Sequence, residues 1–384
     1  MGKYVSAVCL ALAVLGAVCP SFAFVVVEAK PAGPVVSAEA AALIDVDTGR
    51  ILWSHQGDKP MLIASTTKIM TAIIAIEYGN LADQVTVGKN AAGKEGSSLY
   101  LKRGEKMSLE HLLYGMMLRS GNDAATAIAE HVGGSVEGFA VLMNQKAAEI
   151  GMTNTHFVNP HGLNEEGHYS TANDMAKLTA YALQNPVFRE IVKTRVKKVP
   201  NPNEDWDYTW YNKNKMLQMY EGADGVKTGS TKLAGRCLFS SATRNGRQLA
   251  AVTLNAPNDW IDHTRMLDYG FTYFSWHTLA EEGQRFGDQQ QFVAARTFRY
   301  PLAEDEVAHV RSEVTSHPES SLRSRLGEAG TLTFYLNEER IGSIPLIRSE
   351  TRQAFYPGGE APAAQNGFFP VFKSLVKELF RWST

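Results

Sequence analysis

Three short residue sets in this 384-residue chain have the types and spacing for acyl-transfer chemistry. Ser65-Thr66-Thr67-Lys68 puts a hydroxyl and an amine three residues apart; at a helix start the two share a face and can hydrogen bond. The lysine acts as a base only when neutral, and burial, the positive end of a helix dipole and a second cation each lower its pKa. Ser120-Gly121-Asn122 follows the apolar run Leu112 to Leu118 and, read alone, is a helix N-cap. Lys227-Thr228-Gly229 follows Gly222 and Gly225 and, read alone, is a strand with a solvent-facing lysine. A Ser-x-x-Lys match arises about once by chance in a chain of this kind, and Ser374 with Lys377 is such a match. The weight therefore rests on the joint occurrence and order: nucleophile, middle serine, lysine triplet.

These groups need rigid mounts. From Ser65 to Tyr78 the density of Ile69, Met70, Ile73, Ile74 and Ile76 predicts a helix buried on nearly all sides. Ahead of it, 36 to 56 reads as a hairpin: Ala42 to Val46 extended, Asp47-Thr48-Gly49 turning, Ile51 to Ser54 returning. Helices are expected near 108–118, 122–132 and 135–150, and a fourth opens at Thr171 with Asp174 three residues on, as in a capping box. Between them, Asn159-Pro160-His161-Gly162-Leu163 and the stretch to Tyr169 form a long loop of the kind that borders active sites. Strands follow at Tyr208 to Tyr211, Gly225 to Thr228, Arg236 to Ala242 and Gln248 to Asn255, the last two joined by Asn245-Gly246. A helix around Ile261 to Phe271 closes an α/β domain with an antiparallel sheet over 36–275. From 277 to 357 short alternating runs, Gln291 to Ala295, Val307 to Val314 and Thr331 to Leu336, predict a separate small β domain, and 358–367 reads as a linker.

The ends carry their own signals. Lys3, the apolar stretch Tyr4 to Val18, Pro20 and the small residues Ser21 and Ala23 make 1–23 a secretory signal peptide, too short for a membrane span. In the tail, 368–384, Phe368, Phe372, Leu375, Val376, Leu379 and Phe380 share one face, with Lys373, Lys377, Glu378 and Arg381 opposite. Such a helix, about 25 Å long at 1.5 Å per residue, would lie in a bilayer interface, the alternative being a helix packed on its own protein. Burying six apolar side chains gives about 9 kcal/mol gross, before ordering costs, enough for reversible attachment.

With 44% hydrophobic and 20% charged residues the chain has the make-up of a folded globular protein, and a formal charge of −2 argues against nucleic acid as the partner. Cleavage of the signal removes Cys9 and Cys19 and leaves Cys237 alone, read as a packed core thiol. The histidines form no His-Glu-x-x-His set; His161 and His168 read as loop hydrogen-bonders, and no metal or cofactor is expected. Lys193, Arg195, Lys197 and Lys198 read as a solvated hairpin face.

The order of the three motifs is that of penicillin-binding proteins and class A β-lactamases. Together with the Asn159 to Leu163 loop, Tyr169-Ser170-Thr171-Ala172 leading to Asp174-Met175-Ala176, and Asp224-Gly225-Val226 before Lys227, it makes the mature chain resemble the low-molecular-mass D-alanyl-D-alanine carboxypeptidases, peptidase family S11. The resemblance implies an α/β penicillin-binding-protein-like domain with an antiparallel sheet flanked by helices, followed by a small all-β domain and an amphipathic anchoring helix. It places the protein, exported, at the outer face of a bacterial cytoplasmic membrane. It further implies Ser65 as nucleophile, Lys68 as general base, Ser120 as proton relay and Asn122 as orienting group, with Lys227, Thr228, Gly229 and Ser230 binding substrate. The amides of Ser65 and Ser230 would form the oxyanion hole. Its partners would be peptidoglycan stem peptides ending in D-Ala-D-Ala, β-lactams, and the membrane surface through the tail. Gly121 stands where β-lactamases usually carry Asp, and the 159–169 loop lacks a Glu-x-x-Leu-Asn sequence for a deacylating water; both favour the carboxypeptidase. A D,D-endopeptidase, a β-lactamase and a non-catalytic wall-binding protein are the alternatives. One feature departs: some family members bring an arginine to the carboxylate site from the segment after the last strand, where this chain has Asn258-Asp259-Trp260-Ile261-Asp262-His263 before Arg265, which is left unassigned.

Overall fold

The computed structural model describes residues 32–201 and 204–348. The signal segment, the linker and the amphipathic tail read from the sequence lie outside these residues.

The chain opens with the hairpin β1 (Ala40–Asp45) and β2 (Ile51–His55), followed by α1 (Lys68–Tyr78), a small hairpin β3 (Gln84–Thr86) and β4 (Lys106–Ser108), and α2 (Leu109–Arg119), α3 (Asn122–Gly133) and α4 (Val136–Glu149). A long loop leads to α5 (Ala172–Gln184) and α6 (Pro186–Lys193). After them come a second hairpin, β5 (Val196–Val199) with β6 (Tyr208–Tyr211), the single turn α7 (Met216–Met219), strands β7 (Ala223–Thr231), β8 (Gly235–Arg244) and β9 (Arg247–Leu254), and α8 (Asp259–Tyr273). The main sheet is antiparallel in the order β2-β1-β9-β8-β7, which leaves β7 with an open edge. Its inner strands β1 and β9 are buried along their whole length because α5 covers one face and α8 the other; the alanines of β1 let both helices approach. At the β8–β9 turn Asn245 and Gly246 both take positive φ, 51° and 75°, as a two-residue hairpin loop requires.

Thr171 caps α5 as expected, its Oγ1 accepting from the Asp174 amide at 3.1 Å, and Ser108, Ser135 and Asn185 cap α2, α4 and α6. Helix α6, with Pro186 in its first turn, has no counterpart in the sequence reading.

Three expectations need correction. Among the described residues Tyr208–Tyr211 pairs only with Val196–Val199, outside the main sheet, because Trp210 is drawn into the helical core. On that hairpin Lys197 is not a free solvated cation: its Nζ lies 4.0 Å from the Tyr114 ring centroid and 3.7 Å from Glu110. Val307 to Val314 is not one strand; a 3-10 turn over Glu304–His309 precedes β14 (below), since Glu306 turns back to accept from the Ala303 amide at 2.9 Å.

The C-terminal unit comprises β10 (Ser275–Ala280), β11 (Arg285–Phe286), β12 (Phe292–Ala294), β13 (Phe298–Leu302), β14 (Val310–Ser316), β15 (Gly330–Leu336) and β16 (Glu339–Arg348). A two-stranded sheet, β10-β13, faces a five-stranded one, β11-β12-β16-β15-β14, across Phe298 and Phe334, whose rings stack at 4.6 Å. Arg50 on β2's lead-in ties this unit to the first: it donates to Glu306 at 2.6 Å and to the Pro301 carbonyl, with its guanidinium over the Phe274 and Tyr300 rings.

Candidate active site

Ser65 lies in a 3-10 turn, Ala64–Thr67, that runs straight into α1. The turn is entered through Ala64 at φ +47°, a conformation costly for a residue with a Cβ, so its neighbours must hold it. Thr66 Oγ1 donates to the Ile63 carbonyl at 2.5 Å and Thr67 Oγ1 to the Ala64 carbonyl at 2.9 Å. Thr67's proton being used, its oxygen can only accept from His168 Nε2, 2.9 Å away. His168 Nδ1 in turn accepts from the Val158 amide at 3.2 Å, which fixes the neutral Nε2–H tautomer; burial pushes this imidazole down to about 4.

Lys68 is fully buried one helical turn from Ser65. Its Nζ stands 3.1 Å from Ser65 Oγ, 2.6 Å from Asn122 Oδ1 and 2.7 Å from the His161 carbonyl oxygen. Burial first, then the Lys227 and Lys213 charges, holds its pKa well below the ordinary lysine value. A neutral amine has two hydrogens and one lone pair. The two carbonyl acceptors take the hydrogens, which aims the lone pair at the Ser65 hydroxyl.

Asn122 is itself oriented: Nδ2 donates to the Glu95 carbonyl at 2.7 Å, and its amide donates to Ser97 O at 2.7 Å. Buried Asp123 accepts from Ser98 Oγ and the Leu99 and Leu101 amides, holding the segment that forms this wall.

Ser120 is not an N-cap. It ends α2 in the left-handed conformation, φ +67°, and Gly121 takes the cap position of α3 without a side-chain bond. That kink presents Ser120 Oγ to Lys227 Nζ, which donates to it at 3.0 Å and to the Thr228 carbonyl at 2.8 Å. Lys227 is buried, not solvent-facing, and burial followed by the Lys213 charge pushes it down to about 7. Gly229 explains the third position of its motif: a Cβ there would come within 3.1 Å of the Ser65 amide nitrogen and 3.2 Å of that of Thr66. The Ser65 amide thus faces the edge strand β7, with Ser230 next along it.

The structure therefore gathers Ser65, Lys68, Ser120, Asn122, Lys227 and Gly229 into one site. Sequence reasoning missed the His161 carbonyl and the His168–Thr67 link, for which the only signal was the length of the 159–169 loop. Arg265 is not part of the site; its Nη1 donates to the Val35 carbonyl. Cys237, on β8 and paired with Gly229, is buried, which raises its thiol to about 11. Among the described residues no group of three or more His, Cys, Asp or Glu side chains is placed to hold a metal ion.

This arrangement suits nucleophilic acyl transfer by serine with a lysine base, and comparison with known proteins agrees. The family model "D-alanyl-D-alanine carboxypeptidase", peptidase S11, matches residues 26–258. D-alanyl-D-alanine carboxypeptidase DacF of Bacillus subtilis (strain 168) is 33% identical over 333 residues, covering 82% of this chain and 85% of the relative. DacC of Escherichia coli (strain K12) is 33% identical over 381 residues, covering 91% and 90%. Among solved structures, DacD from Francisella tularensis superposes with a TM-score of 0.66 at 26% identity, covering 83% of this chain and 94% of that one. Penicillin binding protein 5 from Haemophilus influenzae, at 24% identity, shares the fold with a TM-score of 0.67 over 83% and 98%. The chain belongs to peptidase family S11, the serine D-alanyl-D-alanine carboxypeptidases.

Proposed function

We propose that Ser65 carries the carboxypeptidase reaction on peptidoglycan stem peptides. The observation that supports it most is the Lys68 amine, buried, lowered in pKa and 3.1 Å from Ser65 Oγ with acceptors for both its hydrogens. Lys68 takes the Ser65 proton as Oγ bonds to the carbonyl carbon between the two terminal D-alanines. The tetrahedral oxyanion is held by the amides of Ser65 and Ser230; such donors are each worth about 3 kcal/mol. As the C–N bond breaks, Ser120, polarised by Lys227, passes its proton to the departing D-alanine nitrogen and takes in its place the one Lys68 received from Ser65, which returns Lys68 to its neutral form. Water then attacks the Ser65 ester, neutral Lys68 taking its proton; the C–Oγ bond breaks, Lys68 returns that proton to Oγ, and the shortened peptide leaves as a carboxylic acid. Asn122 holds the Lys68 amine and the substrate amide, while β7 pairs with the peptide as an open edge, the terminal carboxylate resting at Lys227 and Thr228. A β-lactam acylates the same oxygen. Assays on a pentapeptide, a cross-linked dimer and a cephalosporin test this: D-alanine release from the first is expected to dominate, and faster cleavage of either of the others would move the assignment to an endopeptidase or a β-lactamase.

The protein acts from the outer face of the cytoplasmic membrane, held by 368–384. Two features support this, the signal-like 1–23 and the apolar face of the tail. Among the described residues no helix is long and apolar enough to cross a membrane. Flotation with phospholipid vesicles should carry the full chain and leave a protein ending at 367 at the bottom of the gradient; equal flotation would contradict the anchor.

A further inference from the structure

Carboxypeptidase substrates are defined by a terminal carboxylate, and a fixed planar set of charge-assisted N–H donors is the group best suited to select it. Lys227, where the carboxylate rests, does not suffice for that task alone. Its pKa near 7 leaves it only partly charged at neutrality, and it is spent on Ser120 Oγ and the Thr228 carbonyl. Lys213 is exposed, and its Nζ lies 3.3 Å from Ser97 Oγ in the β3–β4 connection.

Strand alternation points elsewhere. Lys227 and Gly229 turn toward Ser120 and Ser65, so Thr228 and Ser230 turn to the α8 side of the sheet. In the β7–β8 register Ser230 is paired with Arg236 and Thr228 with Leu238. Arg236 is thus on the same face as Thr228, as its diagonal neighbour, a separation that long side chains span. Its guanidinium is locked: Nε and Nη2 donate to the two oxygens of Asp259 at 3.1 and 2.5 Å, and the group lies 5.8 Å from the Trp260 ring centroid. Asp259 is buried while Arg236 is 48% exposed, and Nη1 has no acceptor among the described residues. The segment after the last strand therefore contributes no arginine of its own; it contributes the aspartate that aims one from β8.

We infer that Arg236 is the carboxylate-selecting residue of this enzyme, receiving the terminal carboxylate of the peptide, or that of a β-lactam, beside Thr228. This rests on the acyl-enzyme reading of the site. Because Asp259 neutralises much of the charge, recognition depends on the oriented N–H groups rather than on net charge, and a lysine cannot replace them.

The test measures second-order acylation of the purified protein by benzylpenicillin and by its methyl ester, followed by intact mass, for wild type, Arg236→Ala, Arg236→Lys and Lys213→Ala. Arg236→Ala should slow benzylpenicillin about 10- to 100-fold, the range for a hydrogen bond to a charged group, and leave the ester rate unchanged, which also certifies a folded site. Arg236→Lys should behave like the alanine variant. Equal slowing of both compounds, slowing of neither, or a collapse of the acid-to-ester ratio in Lys213→Ala alone would overturn the assignment. A wild-type protein that takes up neither compound would instead contradict the acyl-enzyme reading on which it rests.

Discussion

The carbonyl oxygen of His161 lies 2.7 Å from Lys68 Nζ, so a loop backbone, not a side chain, completes the environment of the buried amine. The same loop touches α1 again and the turn that leads into it: the Pro160 carbonyl accepts from Thr71 Oγ1 at 2.6 Å, and His168 reaches Thr67. Nucleophile and base are therefore set by a clamp from outside the helix that carries them.

Gly162 makes that clamp possible. It has φ +83°, and a Cβ would sit 1.8 Å from the Ala64 carbonyl oxygen. Gly162→Ala should lift the loop and slow benzylpenicillin acylation by about 100-fold, the cost of a displacement near 1 Å. A variant acylated at the wild-type rate would show that the clamp does not set the site.

His168 acts on Ser65 at second hand, as a positioning residue through Thr67 and the Ala64 carbonyl. His168→Ala should slow acylation about 10-fold, the worth of one well-made hydrogen bond, and His168→Gln, which keeps a donor toward Thr67, should restore most of it. Failure of the glutamine to rescue, with melting temperatures matched, would mean the ring serves only packing against Phe157, 5.8 Å away.

The two lysines give opposite pH limbs. Lys68 is depressed, so its neutral, basic form accumulates as pH rises and acylation should climb through an acid limb below the ordinary lysine range. Lys227, at about 7, is a cation below that value and loses its charge above it, so polarisation of Ser120 should fade and the rate fall on the alkaline side. Lys227→Arg cannot deprotonate and should remove the alkaline limb up to about pH 10. An unchanged limb in that variant would assign it to another group.

How much of this was legible in the sequence follows from how local each signal is. The Ser65–Lys68 pair was readable because three residues on a helix start fix a shared face, and the β8–β9 hairpin because Asn245-Gly246 permits little else. Ser120, taken alone, suggests a cap because it precedes a helix; only the turn of α2 into α3 shows it ending the first helix instead. Lys227, taken alone, suggests a solvent-facing strand residue because what covers it comes from segments distant in sequence, Ser120 between α2 and α3 among them. His161, His168 and Arg236 act through contacts across 93, 101 and 23 residues, for which no spacing rule exists.

Arg50 and Glu306, each 12% exposed, form the tie between the two units. Glu306→Ala leaves the guanidinium buried without its carboxylate and should lower stability by about 3 kcal/mol, read by urea unfolding. Benzylpenicillin acylation should stay at the wild-type rate; a parallel loss would mean the β unit shapes the site.

The central claim is that Ser65 forms an acyl-enzyme on the way to releasing D-alanine. Intact-mass spectrometry after benzylpenicillin, with D-alanine release from a D-Ala-D-Ala peptide measured in parallel, tests it most directly. A single penicilloyl adduct, absent from Ser65→Ala, together with D-alanine release that the variant also lacks, is the predicted result. An adduct that persists in Ser65→Ala, or release that continues without Ser65, would contradict it.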